Sequence, residues 1–155
     1  MHLIDEAARP EWIDYNGHLY DGYHAVIFAR ATDEFLLRIG LTPEVRAQTR
    51  HTIYTLETHV RFLREVKQGA ALKVDCQILE LDRKRVRVFL TMQDVGRDIL
   101  AATSEQMLMS IDQSGPEPKS APWLEESAKV LEALAKLDAQ LPLPDGAGRS
   151  IAIKR

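Results

Sequence analysis

The chain has 155 residues, 45% of them hydrophobic and 28% charged, with a formal net charge of -3. That length favours one domain able to bury roughly 70% of its unfolded surface without staples. The mildly negative charge gives no basis for nucleic-acid binding, and a single cysteine excludes an intrachain disulfide.

The opening stretch MHLIDEAARPEW has no basic region followed by an apolar run, so it does not read as a signal peptide. No run approaches ~18 apolar residues, so no membrane-spanning helix is expected. A cytoplasmic location is the default expectation. Residues 2–8 can form a first strand. Residues 9–22 read as a loop, because Pro10, Gly17, Gly22 and several Asp and Asn side chains adopt turns readily.

Residues 23–39 predict a helix: Phe28, Ala31, Phe35 and Ile39 recur at helical spacing, as do Ile27, Ala31 and Leu36. Asp21 or Gly22 can cap its start, and Gly40 suits its C-terminal end. From His51 the period becomes two. Tyr54, Leu56, Thr58, Val60 and Phe62 fall on one side, and Thr55, Glu57, His59 and Arg61 on the other. Residues 72–81 form the next strand and hold Cys76, read as a buried strand residue. Asp82-Arg83-Lys84 is a turn. Val86, Val88 and Leu90 mark a third strand, and residues 99–111 a fourth. Short joins predict an antiparallel meander.

Three prolines deny regular structure to residues 114–122. Residues 123–141 form an amphipathic helix through Leu124, Ala128, Leu131, Leu134 and Leu137. The end of the chain, PLPDGAGRSIAIKR, reads as a mobile tail or a short strand at SIAIK. The expected organisation is a main domain over 1–113, a linker over 114–122, and a helix with tail over 123–155. One helix cannot cover both faces of a five-stranded sheet, so the sheet should wrap the helix and offer an edge or its other face to a partner.

The chemistry concentrates in PEWIDYNGHLYDGYH, residues 10–24. Asp14, Asn16, His18 and Asp21 lie within eight positions, beside Trp12, Tyr15, Tyr20 and Tyr23, just before the buried helix. The first N–H groups of a helix are unpaired and stabilise developing negative charge. A carboxylate beside them can attack a carbonyl or activate water. The plainer alternative makes Asp14 and Asn16 turn formers and Asp21 a cap.

Asp14-Tyr15-Asn16-Gly17-His18-Leu19, followed by Tyr23 and a long apolar helix, resembles the D-x-x-G-H-V loop of the hot-dog thioesterases related to 4-hydroxybenzoyl-CoA thioesterase. The element order resembles that fold over about residues 2–112. The resemblance implies an α+β hot-dog fold, an antiparallel five-stranded sheet around one long helix, here with an added C-terminal helix. It implies Asp14 as nucleophile or general base, and an oxyanion hole at Asp21, Gly22 and Tyr23. Asp14, Asn16 and His18 also match the D-x-N-x-H loop of plant acyl-carrier-protein thioesterases, whose further glutamate corresponds to Glu65 in the Arg64-Glu65 pair. Where many relatives carry Asn after the His-apolar pair, this chain has Tyr20-Asp21.

P-E-W-I-D-Y-N-G-H together with E-T-H-V-R-F-L-R-E is similar to the betainyl-CoA thioesterases of carnitine breakdown. Their quaternary ammonium substrate would suit an aromatic box of Trp12, Tyr15, Tyr20 and Tyr23. The basic cluster Arg83, Lys84, Arg85 and Arg87 either solvates a turn or binds CoA phosphates, with Arg61, Arg64 and Lys67 as candidate additions. No metal or organic cofactor is expected, CoA being part of the substrate. The expected partners are an acyl-CoA and further copies of the chain, as a dimer or dimer of dimers. His59 on its strand suggests an ion-pair network rather than a metal ligand. Neither a glycine-rich phosphate loop nor G-x-S-x-G is present. A hydratase on the same fold fits the loop less well. A non-catalytic acyl-CoA binding or sensing module is the rival from another class.

Overall fold

The computed structural model of the protein describes residues 1–153. The long helix α1 spans Asp21–Arg38 and buries His24, Ile27, Phe28, Ala31, Thr32, Phe35 and Leu36 at spacings of three and four. It starts two residues before its apolar period does. Tyr20 takes an extended cap conformation, and Asp21 stands in the first turn, where the helix dipole favours a carboxylate. The seven-residue helix α2, Pro43–Thr49, follows; the Thr42 hydroxyl accepts from the Val45 N–H at 3.3 Å. None of its residues is buried, so no apolar period announced it.

Five long strands form the sheet: β1 (His2–Ala7), β2 (His51–Phe62), β3 (Ala71–Leu81), β4 (Arg85–Asp94) and β5 (Ile99–Asp112). All pairings are antiparallel, in the order β1-β3-β4-β5-β2. Only β3-β4-β5 is a meander. β2 pairs with β5 across the sheet rather than with its chain neighbour β3, which corrects the expected strand order. Residues 42–50, for which the sequence predicts no element, hold α2. The short strand β6, Lys119–Ser120, adds to β5 inside the proline-rich segment.

The face covered by α1 carries Val74, Cys76, Val88, Leu90, Met92 and Ala102, all buried with Ile27, Phe28, Ala31 and Phe35 in one core. Burying each large side chain stabilises the fold by roughly 1.5–3 kcal/mol. The Thr32 hydroxyl donates to Gln106 Oε1 at 2.9 Å, joining α1 to β5. Leu90 opposes Ser104, which opposes Val60; residues opposed in this way point to one face. Thr58, Val60 and Phe62 therefore face the α1 side. A bulge between Thr55 and Glu57 leaves Leu56 out of register and puts Tyr54 on the other face. The single apolar side expected for β2 is thus broken in two. Tyr54, Leu56 and Phe62 stay exposed, because β2 lies at the edge of the sheet.

The C-terminal helix α3, Glu125–Asp138, docks on β3 and sends Leu131 into the same core. Beyond the reach of β1, the Asp138 carboxylate accepts the Ile78 N–H at 2.7 Å. The following tail is fastened rather than mobile. Gln77 Nε2 donates to the Pro142 carbonyl at 3.3 Å, Arg61 to the Asp145 carbonyl at 3.0 Å, and the Gly148 N–H to Glu105 at 2.7 Å. Gly146 has φ +84°, a left-handed conformation that favours glycine, and a Cβ there would displace the Arg61 guanidinium. Residues 150–153 form no strand, and Lys154 and Arg155 of the SIAIK segment and chain end lie outside the described residues. Among the described residues no helix is long and apolar enough to cross a membrane.

Candidate active site

The loop before α1 is built around Asp14. Its N–H donates to the His18 carbonyl at 2.8 Å, and its carbonyl accepts from Gly17 at 3.0 Å. Gly17 makes this turn at φ +78°, a conformation costly for other residues. The Asp14 Oδ1 accepts the Asn16 N–H at 2.8 Å and the His18 N–H at 3.2 Å. Partial desolvation pushes the carboxyl up. The His18 and Asn16 N–H groups, with the Asn16 side chain and the His18 ring, outweigh it and hold Asp14 below the ordinary carboxylate range. Asp14 is thus ionised near neutral pH.

Antiparallel bridges tie Ile13 to Leu19 and His18 to Lys67, which draws the segment after β2 against the loop. His18 Nε2 lies 3.1 Å from the Glu65 carboxylate. Arg97, paired with Asp94 at 2.7 Å, also donates to the Glu65 carbonyl and so fixes that turn. The result is an open cleft of about 280 Å³ lined by Asp14, His18, Asp21, His24, Phe62 and Glu65, with Arg64 at its edge.

The start of α1 opens onto this cleft. The Tyr23 N–H is already donated to the Tyr20 carbonyl at 2.9 Å. That corrects Tyr23 as an oxyanion donor. The amides of Asp21 and Gly22 make no hydrogen bond among the described residues and are free to receive an oxygen.

The structure does not gather the four aromatics into one group. Trp12 is buried, stacked on Tyr23 at 5.4 Å, and covered on a face by the Arg9 guanidinium at 4.6 Å. Tyr15 is 94% and Tyr20 55% exposed. None of the four lines the cleft beside Asp14, so the predicted box does not assemble within the chain. The reason is that Trp12 belongs to a 3-10 turn packed into the core, whereas Tyr15 sits at the tip of the turn.

Arg83, Lys84, Arg85 and Arg87 are likewise elsewhere. Arg87 opposes Met107 and Phe62 opposes Ala102, so the two sites lie roughly 17 Å apart along β5. Arg85 pairs with Asp82 at 2.7 Å, Arg87 with Glu80 at 3.0 Å and Glu105 at 2.6 Å, and Lys84 reaches the Ser120 hydroxyl at 3.2 Å. Of the basic residues named from sequence, Arg64 alone lines the cleft. His59 opposes Glu105 on the outer face, and among the described residues no three His, Cys, Asp or Glu side chains converge as metal ligands. Cys76 is buried, and its thiol is pushed up to about 12 by desolvation, so it is inert.

Two cleft residues were not singled out from sequence. His24 is 4% exposed, with Nδ1 3.3 Å from the Tyr20 carbonyl. Burial lowers its pKa from the ordinary histidine value, against smaller opposing effects of Tyr20 and Asp21. Phe62 meets its ring edge-to-face at 5.0 Å. The available signal was a histidine on the buried stripe of α1, one turn before Ile27 and Phe28.

Known proteins match this chain in sequence and in fold. The thioesterase-like superfamily profile matches residues 8–135. A betainyl-CoA thioesterase of Pseudomonas aeruginosa is 42% identical over 144 residues, 93% of this chain and 89% of that protein. An L-carnitine dehydrogenase/betainyl-CoA thioesterase of Rhizobium sp. is 35% identical over this whole chain, which spans 31% of that longer protein. A Staphylococcus aureus protein solved in complex with CoA superposes with TM-score 0.91 at 28% identity, over 99% of this chain and 96% of that one. A 1,4-dihydroxy-2-naphthoyl-CoA thioesterase of Synechocystis shares the fold, with TM-score 0.72 at 16% identity over 90% of this chain and 97% of that one. With its sheet, its loop and these matches in hand, the chain belongs to the thioesterase-like superfamily and has the hot-dog fold.

Proposed function

We propose that the protein hydrolyses betainyl-CoA, releasing betaine and CoA, with Asp14 as the reacting carboxylate. The observation carrying this reading is that Asp14 and Asp21, the first residue of α1, line one cleft, and that the Asp21 and Gly22 amides at that helix start make no hydrogen bond among the described residues. The thioester carbonyl oxygen points at those two amides, which bind it more strongly as negative charge develops. Asp14, held ionised by its loop, attacks the carbonyl carbon. The C–S bond breaks and CoA leaves as the thiolate, which takes a proton from solvent. Water then hydrolyses the mixed anhydride, restoring Asp14. Asn16 holds Asp14 through its N–H, and His18 with Glu65 orients the incoming water.

Arg64, which lines the cleft, is the basic residue best placed to meet CoA there; Arg83, Lys84, Arg85 and Arg87 could meet CoA only from a second subunit. The 42% identical relative named for betainyl-CoA supports the substrate. The exposed edge strand β2 supports a homodimer, and the free thiol of Cys76 suits a cytoplasmic setting.

The test is thiol release from a panel of short, branched, aromatic and trimethylammonium acyl-CoAs by wild type and Asp14→Ala. Release from betainyl-CoA that collapses in the variant is expected. Tight acyl-CoA binding without release by wild type would instead support a sensing module. Turnover in H2¹⁸O with mass analysis of the Asp14 peptide addresses the chemistry: label in that peptide marks attack by Asp14 with water entering at the aspartyl carbon, an acylated Asp14 peptide in rapidly quenched enzyme marks it with water entering at the acyl carbon, and absence of both marks direct attack by water.

A further inference from the structure

The quaternary nitrogen of a trimethylammonioacetyl thioester is two bonds from the reacting carbonyl carbon. An N–C–C unit of that kind spans roughly 2.5 Å. Wherever the carbonyl sits over Asp14 and the α1 amides, the cation is therefore in the same cleft. It cannot reach a distant aromatic box. The groups that hold it must be those lining the cleft.

Those groups share one character. Asp21 and Glu65 are carboxylates beside the reacting Asp14. Phe62, at the end of β2, is an aromatic ring left 51% exposed on the α1 side of the sheet. His24 is almost fully buried yet lines the cleft, and its Nε2 has no hydrogen-bond partner among the described residues. A carbonyl can only accept, so the Tyr20 carbonyl beside Nδ1 places the proton there and leaves Nε2 as a lone pair. Of the opposing charges, Arg64 is folded back onto the Leu63 carbonyl at 2.7 Å, and His18 is paired with Glu65. A carboxylate, a π face and an unpartnered imidazole lone pair each attract a cation that has no proton to donate.

Resting on the thioesterase reading above, we propose that Phe62, Asp21 and the Nε2 of His24 form the seat for a cationic acyl group. Phe62 contributes the ring, Asp21 the countercharge and His24 an acceptor that a neutral alkyl group would leave unsatisfied. Specificity for the cation thus lies at the junction of β2 with the start of α1. Trp12, covered by Arg9, takes no part.

The experiment compares kcat/KM for betainyl-CoA with that for 3,3-dimethylbutyryl-CoA, its uncharged isostere with carbon in place of nitrogen. Wild type should favour the cation. Phe62→Leu keeps an apolar side chain of similar bulk and removes the ring; it should lower that ratio by about tenfold. Asp21→Asn should lower it by roughly fivefold. A ratio unchanged in Phe62→Leu, or wild type hydrolysing both esters equally, overturns the seat while leaving thioester hydrolysis standing. CoA release from neither ester by wild type overturns the thioesterase reading itself, and the seat with it. If Phe62→Leu does not fold, inhibition of wild type by free betaine and by 3,3-dimethylbutyrate decides. Stronger inhibition by betaine is expected, and equal inhibition overturns the proposal.

Discussion

The loop at one end of the sheet and the arginine turn at the other are both rich in charge, yet they hold it in opposite ways. Around Asp14 the backbone turns its N–H groups onto the carboxylate, and three acidic side chains share a cleft with a neutral histidine. In the β3–β4 turn the cations are largely matched by Asp82, Glu80, Glu105 and Ser120. One region leaves Asp14 and Asp21 facing a cleft with no side-chain ion pair among the described residues, and pairs only Glu65, with His18. The other spends its charge on itself. Counting charged residues along the chain does not tell these apart; partners do.

The sharpest way to break this contrast is Asp14→Ala. It should lower kcat by about a thousandfold while the thermal melt stays close to wild type, because a solvent-facing turn carries little of the core. A melt that falls in step with activity would make Asp14 a turn former. Arg87→Met should do the reverse. Leaving Glu80 and Glu105 without their cation should cost about 2 kcal/mol, a fall of roughly 4–8 °C in Tm, with kcat retained. Glu65→Gln, which removes the countercharge 3.1 Å from His18, should lower kcat about tenfold with little change in KM.

A pH series sharpens the description of His24. Burial keeps the folded ring neutral, while the unfolded chain takes up its proton near pH 6.5. Stability from this site is therefore full above about pH 6.5 and is lost as pH falls from there towards the lower folded pKa. Between pH 7.5 and 5.5, wild type should lose about 2 °C more in Tm than His24→Asn; equal losses would mean an unburied ring. The smallest effect is expected of the double variant Arg83→Ala/Lys84→Ala. If each subunit's own cleft suffices for CoA, its KM stays within about twofold of wild type. A larger rise would bring this turn to the ligand from a neighbouring subunit.

Much of the fold was legible, because long elements repeat their apolar period many times. The α1 stripe and the alternation of β3 and β4 are examples, and the D-x-N-x-H loop marked Asp14, Asn16 and His18. What escaped depends on pairing at a distance. The bulge at Leu56 inverts the parity of β2, and no alternation in a single strand reveals which strand lies opposite. Helix α2 buries nothing, so capping by Thr42 and Pro43 was its only sign. The aromatics looked like a group because they are close in sequence, but Trp12 is committed to the core and to Arg9. Phe62 reaches the cleft from a strand nearly forty residues past His24, a neighbour no local motif could supply.

The Asp138 carboxylate on β3 bears on how copies can join. On that flank the sheet ends in a short strand with an irregular register and acidic side chains, and past it the Ile78 amide is already claimed. Such a border resists recruiting a foreign strand. The opposite border, twelve residues of β2, is long and bare. With one border guarded and one receptive, two molecules meeting through β2 use up each other's capacity to grow. Assembly by this route closes at a pair instead of running on into a ribbon.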